Sequence, residues 1–134
     1  MSSQAAGQFE VKSWEEQAAV ELAGARALRR AHVKTVFRGG IEGEGTVEYV
    51  MMYRDDGTAS FIGYELVSAK IGERSGTFVL EYRGTFDQGV AQAESRVVPG
   101  SGTGDLVGLA GSGHFAAPSR EGNFTLDYTL EANG

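Results

Sequence analysis

The sequence predicts a single soluble all-β domain, a closed antiparallel β-barrel of about eight strands in meander order with at most one short helix, around a small-molecule cavity. Three observations carry this. Strong β-formers alternate with polar residues at a period near two along most of the chain. The twenty glycines, against two prolines, fall between those runs as punctuation instead of forming one tract. The 134 residues suffice for one domain spanning 1–134, with a continuous core and no disulfide.

The strands are expected at about 7–13, 27–38, 42–54, 58–70, 76–86, 89–98, 110–116 and 122–131. In the first, Phe9 and Val11 share a face against Glu10 and Lys12. Trp14, at its end, is expected to cap the barrel or pack under the 15–23 segment. That segment, GluGluGlnAlaAlaValGluLeuAla, has helix-favouring composition and reads as a helix or as a loop with one helical turn. In the second strand Ala31, Val33, Thr35 and Phe37 oppose Arg30, His32, Lys34 and Arg38, so the charged set faces outward.

The third strand sets Val47, Tyr49, Met51 and Tyr53 inward and leaves Val50 and Met52 as an apolar pair outside. Either the 15–23 segment or a second subunit would cover that pair, and a homodimer is expected on this ground. AspAspGly at 55–57 and AspGlnGly at 87–89 each supply a turn acid and a glycine suited to a hairpin. The fourth strand leaves two phases open: Phe61, Gly63, Glu65 and Val67 form one face, and Ser60, Ile62, Tyr64 and Leu66 the other. With Phe61 inward, Glu65 is inward too.

Phe78, Leu80 and Tyr82 of the fifth strand and Phe124, Leu126, Tyr128 and Leu130 of the last point in. The sixth strand differs, because its inward set is Ala91, Ala93, Ser95 and Val97. Bulky aromatics on several walls and small residues on one leave room for an organic ligand, where uniformly bulky walls would fill the barrel. The run ProGlySerGlyThrGlyAspLeuValGlyLeuAlaGly at 99–111 lacks the lysine of a P-loop and the glycine order of a dinucleotide turn. It reads as a structural loop with one helical turn at Asp105 to Leu109.

Twelve basic against eighteen acidic side chains give a net charge of -6, which repels polyanions and argues against nucleic-acid binding. The basic stretch from Arg26 to Lys34 carries no interleaved aromatics and reads as a solvated strand face. The chain has no cysteine, which excludes thiolate catalysis and cysteine-held metals. Without a basic and apolar leader, or an apolar run of roughly 20 residues, the reading is cytoplasmic with no membrane partner.

The chemistry-bearing candidates are few. An inward Glu65 in an apolar barrel would hold a raised pKa and serve as general acid or base. Tyr82 is the second catalytic candidate, and Tyr49, Tyr53, Phe61, Phe78, Ser95 and Tyr128 are the expected ligand contacts. His32 and His114 both fall on outward phases, far apart in sequence and with no metal-ligand spacing, so neither a metal nor any other cofactor is expected. No GxSxG elbow supports a serine triad.

Three stretches carry a resemblance: PheGluValLysSerTrp at 9–14, GluGlyGluGlyThrValGluTyr with TyrArgAspAspGlyThrAlaSerPhe over 42–61, and ValValProGlySerGlyThrGlyAspLeu at 97–106. They resemble a bacterial, largely actinobacterial family of unknown function, DUF3224, nearly end to end. That family looks like the allene-oxide-cyclase type of β-barrel, which the dirigent proteins also resemble. The resemblance implies the fold. Enzymes on such barrels guide cofactor-free cyclisations and isomerisations, so by analogy it points to a cyclase or isomerase acting on a hydrophobic, carbonyl-bearing substrate. A non-catalytic carrier using the same cavity is the alternative, and a filled barrel that meets a protein partner through its outer surface is a third. Where relatives often place a tryptophan before ValValProGly, this chain reads GluSerArg at 94–96, which would enlarge the cavity if that position faces inward.

Overall fold

In a computed structural model, residues 3–21 and 27–130 are described. They form eight strands and one short turn of helix: β1 (Ser3–Glu21), β2 (Ala27–Gly39), β3 (Glu42–Tyr53), β4 (Ala59–Ile71), β5 (Arg74–Asp87), β6 (Val90–Val97), a 3-10 turn (Gly104–Leu106), β7 (Leu109–Ala117) and β8 (Glu121–Leu130). Each strand pairs antiparallel with the next, and β8 closes onto β1. The eight-stranded meander barrel expected from the alternation is therefore present.

The hairpin turns behave as their composition requires. Gln88 and Gly89 both take positive φ, 52° and 79°, which matches the right-handed twist of β5 and β6. Strand phases also follow the sequence. Ala31, Val33, Thr35 and Phe37 are buried along β2, and every second residue of β4 from Ala59 to Ile71 is buried. That settles the open phase of β4: Phe61 and Glu65 point in, and Ile62, Tyr64 and Leu66 point out.

Residues 15–21 correct the helix-or-loop reading. They continue β1, paired from Glu15 opposite His32 to Glu21 opposite Ala27, while 22 and 23 lie outside the described residues. Pairing with β2 satisfies the backbone groups on one edge of this segment, and that outweighs the few tenths of a kcal/mol per residue by which Glu, Gln and Ala favour helix. Because the segment extends the sheet edgewise, it does not cover Val50. This residue stays exposed on the outer wall together with Ile62, Tyr64 and Leu66 of the neighbouring strand.

A register shift between Val11 and Ser13 matters more for function. Val11 pairs with Thr35 but Ser13 with Lys34, so Lys12 is an extra residue and the phase of β1 inverts beyond it. Trp14 then lies opposite Val33, and Glu16 opposite Ala31, both on the inward register. The expectation that Trp14 packs under the 15–23 segment does not hold, because 15–21 continue the strand; its ring, partly exposed, borders the cavity at the barrel mouth.

The two ends of the barrel differ. At the end where β5 begins, the 98–108 loop runs alongside the first half of β5. Thr103 N–H donates to Thr77 O at 2.8 Å, Thr77 N–H to Thr103 Oγ1 at 3.0 Å, and Val79 N–H to Ser101 Oγ at 3.0 Å. The 3-10 turn in this loop, at Gly104–Leu106 and slightly earlier than expected, drives a fully buried Leu106 into a core that contains Ile71, Phe78, Val97 and Leu109. The glycine-rich run is thus a plug. The opposite end, ringed by the β3–β4, β5–β6 and β7–β8 turns, opens into a cavity.

Candidate functional site

The cavity measures about 340 Å³ and runs from Ile41 and Leu126 in the interior to Phe86, Gly89 and Arg120 at the mouth. This volume falls in the lower part of the range for small-molecule sites. Its wall is rich in aromatic rings. Phe9 meets Phe115 edge-on with centroids 5.3 Å apart, Phe37 meets Phe124 at 5.6 Å, and Tyr49 meets Phe61 at 5.1 Å. Small residues on the facing wall, Ala91 and Ser95 of β6, leave the space open.

One polar group of consequence lies in this lining. Glu65 is 2% exposed, and both carboxyl oxygens are held: Thr35 Oγ1 donates to Oε2 at 2.6 Å, and the Tyr82 hydroxyl donates to Oε1 at 2.5 Å. Thr35 is on β2 and Glu65 on β4, two strands apart, and Gly45 of β3 pairs with Thr35 on one side and with Val67, two residues from Glu65, on the other. A Cβ at Gly45 would stand 2.3 Å from Glu65 Oε2 and 2.5 Å from Thr35 Oγ1. The missing side chain is what lets the two strands' groups meet.

Burial pushes the Glu65 carboxyl above the usual carboxylate range, and the hydrogen bonds from Thr35 and Tyr82 offset part of that rise. Tyr82 is pushed well up by burial and by the nearby Glu65 carboxylate, and Tyr49 likewise by burial and then by Glu65. Both phenols therefore keep their protons at neutral pH.

The two tyrosines differ in what their hydroxyls do. Tyr82 is engaged with Glu65. Tyr49 lines the cavity between Trp14, which it meets tilted, and Phe61, which it meets edge-on, and its hydroxyl has no hydrogen-bond partner among the described residues. Enclosed by rings yet facing the void, it is a free donor in the site.

Tyr53, Phe61 and Ser95 also line the cavity, with Ser95 opposite Tyr82 in register. Position 95 is thus inward, and the small residue there does enlarge the space. Phe78 and Tyr128 do not line it. Both lie in the half nearer the plug, where Phe78 is fully buried opposite Val67 and Tyr128 packs half-buried beside the core. Inward phase alone placed them among the ligand contacts; the plug, not legible as such in the sequence, fills their end. His32 is half-buried on the outer wall against Glu48; His114, exposed beside Thr125 on the outward phase of β7, also borders the cavity.

Sequence reasoning missed the mouth. Glu16 accepts from Trp14 Nε1 at 2.9 Å and from the Tyr53 hydroxyl at 3.4 Å, and it pairs with Arg29 Nε. Arg120, exposed in the β7–β8 turn just before β8, also lines the cavity at its rim. The bulge at Lys12 carries no compositional mark, so simple alternation sends Trp14 and Glu16 to the wrong face.

No curated protein matches the chain. The crystal structure of a protein of unknown function from the DUF3224 family of Shewanella oneidensis MR-1 is similar, with a TM-score of 0.84 and 25% identity over 98% of this chain and 100% of that one. The family model for DUF3224, a protein family of unknown function, matches residues 5–130. The chain belongs to the DUF3224 family.

Proposed function

We propose that the barrel binds a hydrophobic carbonyl compound and isomerises or cyclises it without a cofactor. The observation that carries this reading is a buried carboxyl of raised pKa set in an aromatic cavity beside an unpartnered phenol. Tyr49 donates its hydroxyl to the ligand's carbonyl oxygen and stabilises the negative charge that grows there. Glu65, steadied by Thr35 and Tyr82, takes a proton from the carbon next to that carbonyl and returns it elsewhere on the same skeleton. The sum is an isomerisation that consumes nothing. The aromatic walls hold the flexible parts in one shape, which is where a ring closure gains most.

A carrier without turnover is the second reading. It is favoured by the internal satisfaction of Glu65, since both its oxygens already have donors. Proton exchange separates the two. In deuterated water, an enzyme incorporates deuterium next to the carbonyl of a bound ketone, Glu65→Gln loses that incorporation, and Tyr49→Phe slows it. A ketone that binds with no incorporation above the uncatalysed rate leaves the carrier. Incorporation unchanged in Glu65→Gln removes the proposed chemistry.

A further inference from the structure

Resting on the reading of the cavity as a ligand site, we infer that its ligand is a flat, conjugated keto acid bound with its carboxylate outward on Arg120 and its ketone inward on Tyr49. Two cationic residues stand at the mouth, Arg29 on β2 and Arg120, exposed, in the β7–β8 turn. Arg29 is neutralised by Glu16. Arg120 meets no carboxylate among the described residues, although it lines the cavity. Its position is fixed from behind: the Arg120 carbonyl accepts from Val11 N–H at 2.7 Å, and Ser119 Oγ accepts from Glu121 N–H at 3.2 Å, so the turn that bears it is tied to β1 and β8. With its backbone anchored, Arg120 can bring a guanidinium to the rim of an apolar cavity and offer paired donors to one planar anion.

The interior dictates which end of such a ligand goes in. A carboxylate carried to the level of Glu65 would be a second acid in a desolvated site with no cation to meet it, a costly arrangement. A ketone there needs one donor, and Tyr49 supplies one. Between the two ends the lining is rings meeting edge to face, so a flat unsaturated skeleton extends the same pattern of edge and face contacts, which a saturated chain cannot. The cavity volume of about 340 Å³ suits a compact ligand of this kind.

The probes are para-acetylcinnamic acid and para-acetylcinnamamide, which share shape and ketone and differ in charge, titrated calorimetrically at neutral pH into the native protein, Arg120→Gln, Arg120→Lys and Tyr49→Phe. The native protein is expected to bind the acid about fivefold more tightly than the amide. Arg120→Gln brings the ratio to about one by weakening the acid alone, and Arg120→Lys keeps part of it. Tyr49→Phe weakens acid and amide alike. Equal native affinity for both probes, or a preference that survives in Arg120→Gln, overturns the anionic anchor while leaving the cavity in place. Failure of the native protein to bind either probe overturns the anchor and counts against the cavity reading as well.

Discussion

The Glu65 carboxyl occupies the space that a side chain at Gly45 would fill, with Oε2 2.3 Å from where the Cβ would stand. One glycine in the middle of β3 thus makes it possible for Thr35 and Glu65 to hydrogen-bond across an intervening strand. Gly45→Ala must displace the carboxyl or spread the strands. We expect a loss of about 1–3 kcal/mol in chemical denaturation, typical of overpacking a filled interior. Because the clash is with Glu65 and Thr35, the same substitution made with Thr35→Ala and Glu65→Ala costs measurably less, and a double-mutant cycle reads the coupling.

Glu65 makes stability depend on pH in a direction opposite to that of most carboxylates. Its folded pKa is raised chiefly by burial, so the folded barrel binds this proton more tightly than the unfolded chain does. The contribution is fully present below the usual carboxylate range and is lost as pH rises through the raised value. Thermal unfolding measured across that window should show the native protein losing Tm relative to Glu65→Gln, which has no proton to lose. Above the window the difference levels off.

Tyr82 and Thr35 lower the Glu65 pKa by donating to it, against the larger upward push of burial. Tyr82→Phe and Thr35→Val each remove one donor and shift the Glu65 titration further upward. The carboxyl stretch followed by infrared difference spectroscopy against pH reads this directly, and Glu65→Gln assigns the band.

Leu106 fills the plugged end and is fully buried. Leu106→Ala is expected to cost about 2–5 kcal/mol, through lost transfer energy and the void left behind. Ligand affinity at the opposite end should change little, provided the variant is assayed below its lowered unfolding temperature. A large loss of affinity with the fold intact would mean that plug and cavity are coupled.

Trp14 is the only tryptophan, and its ring lies 6.2 Å from that of Tyr49 at the cavity mouth. Entry of a ligand should therefore shift or quench its emission and protect it from iodide, and saturation should follow the calorimetric isotherm.

Much of the fold was legible because one physical rule, inside and outside alternating along a strand, applies to nearly every segment. It sorted β2, β5 and the inner wall of β6 residue by residue, and once Phe61 is known to be inward it delivers Glu65. The rule fails where the period itself breaks. The extra residue at Lys12 inverts the second half of β1 and hides Trp14 and Glu16, and nothing in the local composition marks it. Propensity misled at 15–21, where pairing with β2 overrides helix-favouring side chains. Phase placed Phe78 and Tyr128 inward but could not show that they lie outside the cavity lining, because it says which side a residue faces but not which end of the barrel is filled. The different duties of Tyr49 and Tyr82 needed the register across three strands.

The most direct test of the account is native mass spectrometry of the purified protein after exposure to a lipophilic extract of its source organism, run beside Ala91→Phe, which fills the cavity from its small-residue wall. The account predicts a retained small-molecule mass on the native protein and its loss in Ala91→Phe with the fold unchanged by circular dichroism. A native protein that retains nothing, or a mass retained equally by both, would contradict the cavity as the functional site.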